Sequence, residues 1–338
     1  MSYGCDPVEI TDAKRDDLTR EAEACRQMLL PVKEEMQKVI VGQEETIDGL
    51  LTALVAGGNV LLEGVPGLAK TLIVRTLASC IDCSCARIQF TPDLLPSDIT
   101  GTTVYNQKDS TFSLVRGPVF HNIILADEIN RAPPKVQSAL LEAMQERQVT
   151  VQGETLPLPD PFFVLATQNP LESEGTYPLP EAQTDRFLFK LLIDYPTVAD
   201  EVEILDRYTS GAVVTPACVL SAPDLLRVRA AARAVRADPA VREYAAKVVD
   251  ATRHPAAYGL DLAETVAWGA SPRATISLVL GAKARALLAG RGYIVPHDIK
   301  AVAHAALRHR ILLTYAAEAA GTGTDAVVDT VLEAVEVP

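Results

Sequence analysis

The chain has 338 residues, of which 48% are apolar and 22% are charged, and this length and balance predict a globular protein with two domains. Its net charge of −13, from 44 acidic and 31 basic residues, disfavours sequence-independent binding to nucleic acid, although it leaves room for a local basic patch. The N-terminus lacks the apolar core of a signal peptide, and no run approaches the roughly 20 apolar residues of a membrane span, so we expect a cytoplasmic protein.

The first part of the chain is predicted to be helical. Residues 17–30 form a helix that ends at Pro31, because proline lacks the N–H that a helix interior needs. Residues 32–39 form a second helix, and residues 44–56 form an amphipathic third one that ends at Gly57-Gly58. We therefore expect residues 1–35 to be an N-terminal helical arm.

Five short apolar runs follow, and helical or loop segments separate several of them. Continuous rather than alternating apolar residues suit parallel strands that are covered on both faces. The pattern predicts an α/β domain of three αβα layers around a central parallel sheet, with its site at the carboxyl ends of the strands. The runs are residues 60–63, 86–90, 123–127, 162–167 and 187–193.

A glycine-bearing segment joins the first run to a helix, and its sequence is Gly64-Val65-Pro66-Gly67-Leu68-Ala69-Lys70-Thr71. A strand, a glycine turn, Lys-Thr and a helix form the arrangement that holds a nucleoside triphosphate. Backbone N–H groups and the helix N-terminus meet the phosphates, Lys70 reaches the outer ones, and the Thr71 hydroxyl binds Mg²⁺. Ala69 stands where the usual pattern has a second glycine, which is acceptable if its φ is already near-helical.

Two carboxylates, Asp127 and Glu128, end the apolar run 123–127. Beside a phosphate loop, Asp127 suits the Mg²⁺ shell, where it acts largely through water. Glu128 can orient and polarise an attacking water, which is the role of the general base in a hydrolysis. The alternative is an acidic pair that only caps the next helix, and the preceding phosphate loop favours the catalytic interpretation.

Asn169 follows the run 162–167 and precedes a proline. An amide at the end of a buried strand can hydrogen-bond the γ-phosphate or its water, whereas a simple turn-forming role is the alternative.

Two arginines have a functional and an ordinary interpretation. Arg186 either pairs with Asp185 or Glu181 on the surface, or it is an arginine finger that serves the nucleotide of a neighbouring subunit. Arg273 lies in the first turn of a helix capped by Ser271, where a cation gains nothing from the helix dipole. That position favours an anionic partner, such as a γ-phosphate beneath a lid.

The rest of the chain changes in character. Residues 148–158 read as a β-hairpin, residues 197–220 as a linker, and residues 221–338 as a helical second domain without a convincing strand. Cys80, Cys83 and Cys85 cluster, but no matching ligand pair stands nearby, so free thiols are favoured over a zinc site.

Taken together, the motifs identify a resemblance to the MoxR family of AAA+ ATPases over residues 36–310. The segments that carry it are Val41-Gly42-Gln43-Glu44, residues 62–71, residues 125–132, Ala166-Thr167-Gln168-Asn169-Pro170, residues 181–187 and residues 269–274. Ala69 is common in such proteins. Residues 89–95 and 104–120 resemble the helix-2 insertion of that clade, and residues 149–158 resemble its pre-sensor hairpin.

The resemblance implies a P-loop NTPase core at residues 36–196 and an all-α lid at residues 221–338, working as a ring that is usually a hexamer. It makes residues 64–71 the Walker A motif, continued by Leu72, and Asp127 and Glu128 the Walker B motif. Asn169 becomes sensor 1, Arg186 the arginine finger and Arg273 sensor 2, while Val41 and Gly42 lie by the adenine. Arg131 is a second candidate for the finger.

The same resemblance implies ATP and Mg²⁺ as cofactors and a chaperone-like action on protein complexes. The expected client is a separate chain with a von Willebrand factor A domain. The alternatives are a helicase-like nucleic-acid motor, a metal-chelatase-type ATPase subunit and a nucleotide-gated scaffold without catalysis. The net charge disfavours the first, and Lys70, Asp127 and Glu128 disfavour the last.

Overall fold

The computed structural model describes residues 12–108, 110–170, 175–209 and 214–338. An α/β region comes first, and a mostly helical region follows it. None of the helices within these ranges is both long enough and apolar enough to cross a bilayer.

A five-stranded sheet forms the centre of the α/β region, and all of its neighbouring strands are parallel. The strand order is β10-β1-β9-β6-β3, so β9 lies between β1 and β6. The strands are β1 (Val60–Glu63), β3 (Cys85–Gln89), β6 (Ile123–Asp127), β9 (Phe163–Gln168) and β10 (Phe189–Leu192). All five predicted runs are strands, and the predicted α/β fold is confirmed.

Alternate residues of the strands pack against two different layers of helices. Val60 and Leu62 of β1 belong to one apolar cluster, whereas Leu61 between them belongs to the other. This alternation explains the continuous apolar runs, because both faces of a parallel sheet are covered. The helices of the α/β region are α1 (Asp12–Val39), α2 (Glu44–Ala56), α3 (Lys70–Ser79), α4 (Pro96–Thr100), α5 (Pro134–Glu146) and α6 (Glu181–Thr184).

The predicted break at Pro31 is wrong. Helix α1 continues through Pro31 to Val39 as one helix of 28 residues. Leu29, Val32 and Met36 on one side of it are fully buried. Packing of this apolar stripe stabilises the helix on both sides of the proline, which outweighs the hydrogen bond that the proline cannot make.

Four short two-stranded sheets lie outside the central sheet in the described residues. Two antiparallel hairpins leave the α/β region, and the predicted one at residues 148–158 is present. Two smaller pairs involve the second region: one is parallel and joins it to the α/β region, and one lies within it. The pairs are β4 (Gly101–Asn106) with β5 (Thr111–Arg116), β7 (Gln148–Val151) with β8 (Glu154–Pro157), β2 (Ile81–Asp82) with β11 (Leu220–Ser221), and β12 (Val266–Trp268) with β13 (Leu312–Leu313).

The C-terminal region is helical as predicted, apart from the short pair β12–β13. Its helices are α8 (Ala222–Ala234), α9 (Pro239–Arg253), α10 (Pro272–Leu288), α11 (Pro296–Leu307), α12 (Tyr315–Ala319) and α13 (Thr324–Ala334). The predicted linker 197–220 also contains a helix, α7 (Val198–Thr209). Its apolar residues face solvent rather than the core.

The clustered cysteines differ in their surroundings. Cys80 is buried, Cys83 is half-buried and Cys85 is exposed, and all three are free thiols. Burial raises the pKa of the Cys80 thiol to about 11. Over the described ranges, no group of three or more His, Cys, Asp and Glu side chains is placed to hold a metal ion.

Candidate active site

The loop of residues 64–71 leaves the carboxyl end of β1 and enters α3. Gly64 requires the absence of a side chain, because a Cβ there would lie 2.9 Å from the Ile193 carbonyl oxygen. Gly67 has a φ of 89°, which favours glycine. The Lys70 ammonium donates to the carbonyl oxygens of Gly64 and, at 3.0 Å, of Val65. Lys70 thus lies within the loop that is predicted to hold the phosphates of a nucleotide.

Ala69 departs from the condition set by the sequence. Its φ of 55° and ψ of 19° lie in the left-handed region rather than near the right-handed helix, and it forms the N-cap of α3. The reversal of the chain between Gly67 and Lys70 requires this conformation. An alanine there is strained by about 1–2 kcal/mol relative to glycine.

Thr71, in the first turn of α3, lies against the end of β6. Its Oγ1 donates to Oδ2 of Asp127 at 3.1 Å. The two oxygens come from segments that the parallel sheet brings to the same edge. A hydroxyl and a carboxylate at this separation are the oxygen ligands that Mg²⁺ prefers, so the residues present fit the ion that the motif implies.

Asp127 is buried and held from three sides. Its carboxylate accepts a hydrogen bond from the Thr167 hydroxyl at 2.7 Å and from Nε and Nη2 of Arg87 at 3.2 and 2.7 Å. Burial alone would raise the pKa of this carboxyl, but the hydrogen bonds from Thr167, Arg87 and Thr71 outweigh it and lower the pKa. The side chain is therefore kept ionised near neutral pH.

Glu128 follows in a left-handed conformation, with a φ of 57°. Its backbone N–H donates to the Thr167 hydroxyl at 2.8 Å, while Oε2 accepts from Nε2 of Gln89 at 2.9 Å. Arg131 Nε lies 3.1 Å from the same oxygen. The turn separates the two acidic side chains, because Asp127 contacts α3 whereas Glu128 points to Gln89 and Arg131.

Asn169 lies at the end of the strand between β1 and β6. It is almost completely buried, and its carbonyl oxygen accepts a hydrogen bond from the Asn130 amide at 3.3 Å. The preceding residue, Gln168, accepts from the Gly64 N–H at 3.4 Å. The strand order thus places Asn169 between the phosphate loop and the two carboxylates.

Val41 and Gly42 lie at the same edge of the sheet. The Asp200 carboxylate is in contact with Gly42, where an added Cβ would meet Oδ2 at 3.0 Å. Next to it, Gln43 donates from Nε2 to the Asp194 carbonyl oxygen at 2.9 Å. The segment after β10 therefore joins residues 41–43 to the loop at Gly64.

Arg186 and Arg273 lie together but away from this edge. Both line a cavity of about 260 Å³ with Asn59, which immediately precedes β1. The four residues of β1 separate that end from the phosphate loop by about 13 Å. Neither arginine is thus brought to the phosphate loop of its own chain.

The alternative interpretation of Arg186, an ion pair with Asp185 or Glu181, is absent from the described contacts. Asp185 instead accepts from Arg310 Nε at 2.8 Å and from the Ser271 hydroxyl at 3.0 Å, with Arg273 Nη1 at 3.5 Å. Nε of Arg186 is buried and has no hydrogen-bond partner among the described residues.

Four residues of this geometry were not identified from the sequence: Arg87, Gln89, Thr167 and Arg310. Arg87, Gln89 and Thr167 lie in the last three positions of β3 or next to the end of β9. Polar residues at the carboxyl ends of otherwise apolar strands are the signal that could have found them. Arg310 follows a helix in the C-terminal region and carried no such signal.

Comparison with known proteins gives consistent matches over most of the chain. The family described as ATPase family associated with various cellular activities (AAA) matches residues 59–189, and the AAA lid domain matches residues 260–331. The chaperone MoxR1 of Mycobacterium tuberculosis is 49% identical over 306 residues, which cover 90% of this chain and 81% of the relative. The protein MoxR of Methylorubrum extorquens is 33% identical over 296 residues, covering 82% and 86%.

A solved structure agrees with these matches. The crystal structure of a candidate ATPase from Cytophaga hutchinsonii superimposes with a TM-score of 0.89 at 48% sequence identity. The superposition covers 96% of this chain and 98% of the other.

Proposed function

The chain belongs to the MoxR family of AAA+ ATPases, and from this premise we propose that it hydrolyses ATP to ADP and phosphate at the loop of residues 64–71. The observation that carries the proposal is the contact of Thr71 with Asp127, which joins the phosphate loop to a strand-end carboxylate. The domains proposed with it are an arm at residues 1–35, a nucleotide core at 36–196, a linker at 197–220 and a lid at 221–338.

The residues of the loop bind the triphosphate. Backbone N–H groups between Gly64 and Thr71, the last of them at the start of α3, donate to its oxygens. Lys70 exchanges the carbonyl oxygens of Gly64 and Val65 for the outer phosphates, which offer full negative charges. Val41 and Gly42 contact the adenine, and Leu72 continues the loop into the helix.

Thr71 and Asp127 hold Mg²⁺, which when bound neutralises charge on the phosphate oxygens. The low pKa of Asp127 keeps its carboxylate available for that ion. Glu128 accepts a proton from the attacking water, and Gln89 and Arg131 hold its carboxylate in position. Asn169 orients the water or the γ-phosphate through its amide.

A ring of subunits completes the site. Arg186 and Arg273 lie together at the end of the sheet opposite their own phosphate loop, so a neighbouring subunit's nucleotide is the anion they serve. Arg131 is the weaker candidate for the finger, because it pairs with Glu128 of its own chain. Arg186 makes no ion pair among the described residues, and its charge is free to offset that of a transition state.

Apolar surface near both sites supports such a ring. Helix α7 begins beside Gly42, and Val198, Val202, Leu205 and Tyr208 on one of its sides are 81%, 54%, 60% and 66% exposed. Beside Arg273, Ile276 and Trp268 are exposed as well. A ring buries two different surfaces of each subunit against each other, and we propose that these two patches are those surfaces. We propose a hexamer.

The energy of hydrolysis is applied to a protein client. The relative from M. tuberculosis is named a chaperone, and we propose the same class of action here, on complexes that contain a von Willebrand factor A domain. The β4–β5 hairpin supports a protein partner, since its Tyr105 and Phe112 rings pack 5.1 Å apart on the exposed surface. We place this action in the cytoplasm, where ATP is available.

Two variants test the hydrolytic site. Lys70→Ala removes the ammonium that contacts the outer phosphates, so nucleotide affinity is expected to fall below detection in a fluorescent-nucleotide titration. Glu128→Gln keeps the shape of the side chain but replaces the basic carboxylate with an amide, so ATP is bound and turnover falls by about 10²-fold or more. Hydrolysis by Glu128→Gln at the parent rate would refute the role of Glu128.

The Glu128→Gln protein also tests the client. Loaded with ATP, it is expected to retain a von Willebrand factor A domain protein of the same cell in a pull-down. Phe112→Ser in the same background removes the exposed ring and is expected to release that protein. Retention that does not depend on ATP or on Phe112 would contradict this assignment.

A further inference from the structure

A second anion site is suggested by three arginines that line one cavity away from the nucleotide loop. The cavity has a volume of about 510 Å³ and lies between the C-terminal end of α2, the chain after β8, and α8. Among the described residues, Arg147, Arg229 and Arg233 line it together with one acidic residue, Asp160. It is separated from residues 64–71 by the length of β1, because Gly57 at its edge precedes that strand.

Two of the arginines are fixed in place by backbone groups. Arg147 donates from Nη1 to the Phe162 carbonyl oxygen at 2.6 Å and from Nη2 to that of Gly57 at 3.1 Å. Arg229 donates from Nε to the Leu54 carbonyl oxygen at 2.9 Å. Both also contact Gly57, since a Cβ there would lie 3.8 Å from Cδ and Nε of Arg229. The cations are therefore held near each other by the fold.

No carboxylate among the described residues pairs with these three cations. Arg229 is only 5% exposed, and its Nη2 has no hydrogen-bond partner among the described residues. Across the described ranges, Arg147, Arg229 and Arg233 form no ion pair, with Asp160 or with any other carboxylate. Burial, and next the charge of Arg147, lower the pKa of Arg229 to about 10. A buried cation without an anionic partner is destabilising. Binding of an anion in this cavity would therefore stabilise the three arginines.

Helix α8 explains how the sequence builds this group. Arg229 and Arg233 are four residues apart and therefore lie on the same side of the helix. Arg147 occupies the left-handed residue that ends α5, with a φ of 54°, and its guanidinium lies 5.4 Å from the centre of the Phe162 ring. The α/β region supplies one cation and the helical region supplies two, so a bound anion would join the two regions.

We propose that Arg147, Arg229 and Arg233 bind a phosphate group, free or carried by a nucleoside monophosphate. Three guanidinium groups against one carboxylate leave two positive charges, which match a phosphate dianion better than a carboxylate. Guanidinium forks also fit phosphate oxygens geometrically. This site does not depend on the ATPase activity proposed above.

The test is calorimetric titration of the Lys70→Ala protein, in which the nucleotide loop lacks its lysine, with inorganic phosphate in a low-chloride buffer. We expect one phosphate per chain. Arg233→Ala and Arg147→Lys, each combined with Lys70→Ala, are expected to weaken binding by about tenfold, as loss of one charged hydrogen bond would. Asp160→Asn removes the opposing charge and is expected to tighten it.

Controls distinguish phosphate binding in this cavity from non-specific attraction to other arginines, and free phosphate from a nucleotide-borne phosphate. Arg242→Ala removes an exposed arginine of α9 that lies outside the cavity, and it should leave phosphate affinity unchanged. AMP in place of phosphate distinguishes the two sources: competition with phosphate indicates a nucleotide-borne group, and none indicates the free anion. Acetate that binds as tightly as phosphate, no binding at millimolar phosphate, or unchanged affinity in the Arg233, Arg147 and Asp160 variants would each overturn the proposal.

Discussion

Arg87 donates two hydrogen bonds to the same carboxylate oxygen of Asp127, at 3.2 Å from Nε and 2.7 Å from Nη2. Thr71 donates to that oxygen as well. Arg87 on β3 and Thr71 at the start of α3 therefore donate to the same oxygen, Oδ2 of Asp127 on β6. Half of the Arg87 side chain is exposed, and its hydrogen bonds and charge help to lower the pKa of Asp127.

Arg87→Gln is expected to make ATP hydrolysis more sensitive to acid. The pKa of Asp127 is lowered in the folded protein, so its carboxylate stays ionised to a lower pH than an ordinary aspartate and is protonated only as pH falls through that lowered pKa. Without Arg87 the folded pKa rises, and the acid limb of kcat/KM against pH moves to higher pH. Arg75→Gln, which removes an exposed arginine of α3, serves as the control. An unchanged acid limb would show that Arg87 does not set the charge of Asp127.

Thr167→Val is expected to affect both stability and turnover. The buried Thr167 hydroxyl donates to Asp127 at 2.7 Å and accepts from the Glu128 N–H at 2.8 Å. Valine keeps the shape but leaves both groups without that partner, which lowers the free energy of unfolding by about 1–3 kcal/mol. Urea unfolding measures the loss, and kcat falls because Glu128 is no longer fixed. Thr76→Val, a buried threonine of α3 outside these contacts, should change kcat little, and a similar kcat loss there would contradict the assignment.

The sequence predicts the strands well because continuous apolar runs are a local pattern. Apolar runs identify all five strands, and the parallel sheet then gathers their carboxyl ends at one edge. Contacts between residues on different strands are harder to predict from the sequence. Arg87 contacts Asp127 only because β3 pairs with β6 in the register Gln89 to Asp127, and no local pattern contains that register.

Tertiary packing and the reversal of the chain explain two places where the structure departs from local conformational preference. Pro31 usually ends a helix, but the buried stripe on both sides of it keeps α1 continuous. Ala69 is unstrained only with a near-helical φ, yet the turn from Gly67 into α3 places it in the left-handed region. In both cases the local preference amounts to a few kcal/mol at most, and packing or chain reversal outweighs it.

Arg186→Ala is expected to inactivate the sites of neighbouring subunits rather than its own. Loss of an arginine finger lowers kcat by about 10³-fold or more. In rings mixed from parent and Arg186→Ala subunits, activity should fall more steeply than the fraction of variant, because each variant disables the parent next to it. Arg273→Ala shares the cavity with Arg186 and should show the same steep dependence.

The matched control is Arg242→Ala, which alters an exposed arginine on α9. Mixed rings containing it should keep the parent activity at every ratio. A fall in activity that is only proportional to dilution for Arg186→Ala would show that this residue does not act across a subunit boundary. The steep dependence for Arg131→Ala alone would instead transfer the finger to Arg131.

The apolar side of α7 gives a prediction about assembly. All residues of α7 are described and none is buried, while Arg207 anchors the helix by donating to the Lys38 carbonyl oxygen at 2.7 Å. Val202→Asp and Leu205→Glu place charges in the stripe without affecting a core, so the monomer should unfold at the parent urea concentration. Sedimentation velocity in ATP should nevertheless show loss of the ring, and ATPase activity should fall with it. Glu203→Gln on the polar side, which can still accept a hydrogen bond from Arg207, is the control and should assemble normally. Rings that form equally well with Val202→Asp and Leu205→Glu would exclude α7 from the boundary between subunits.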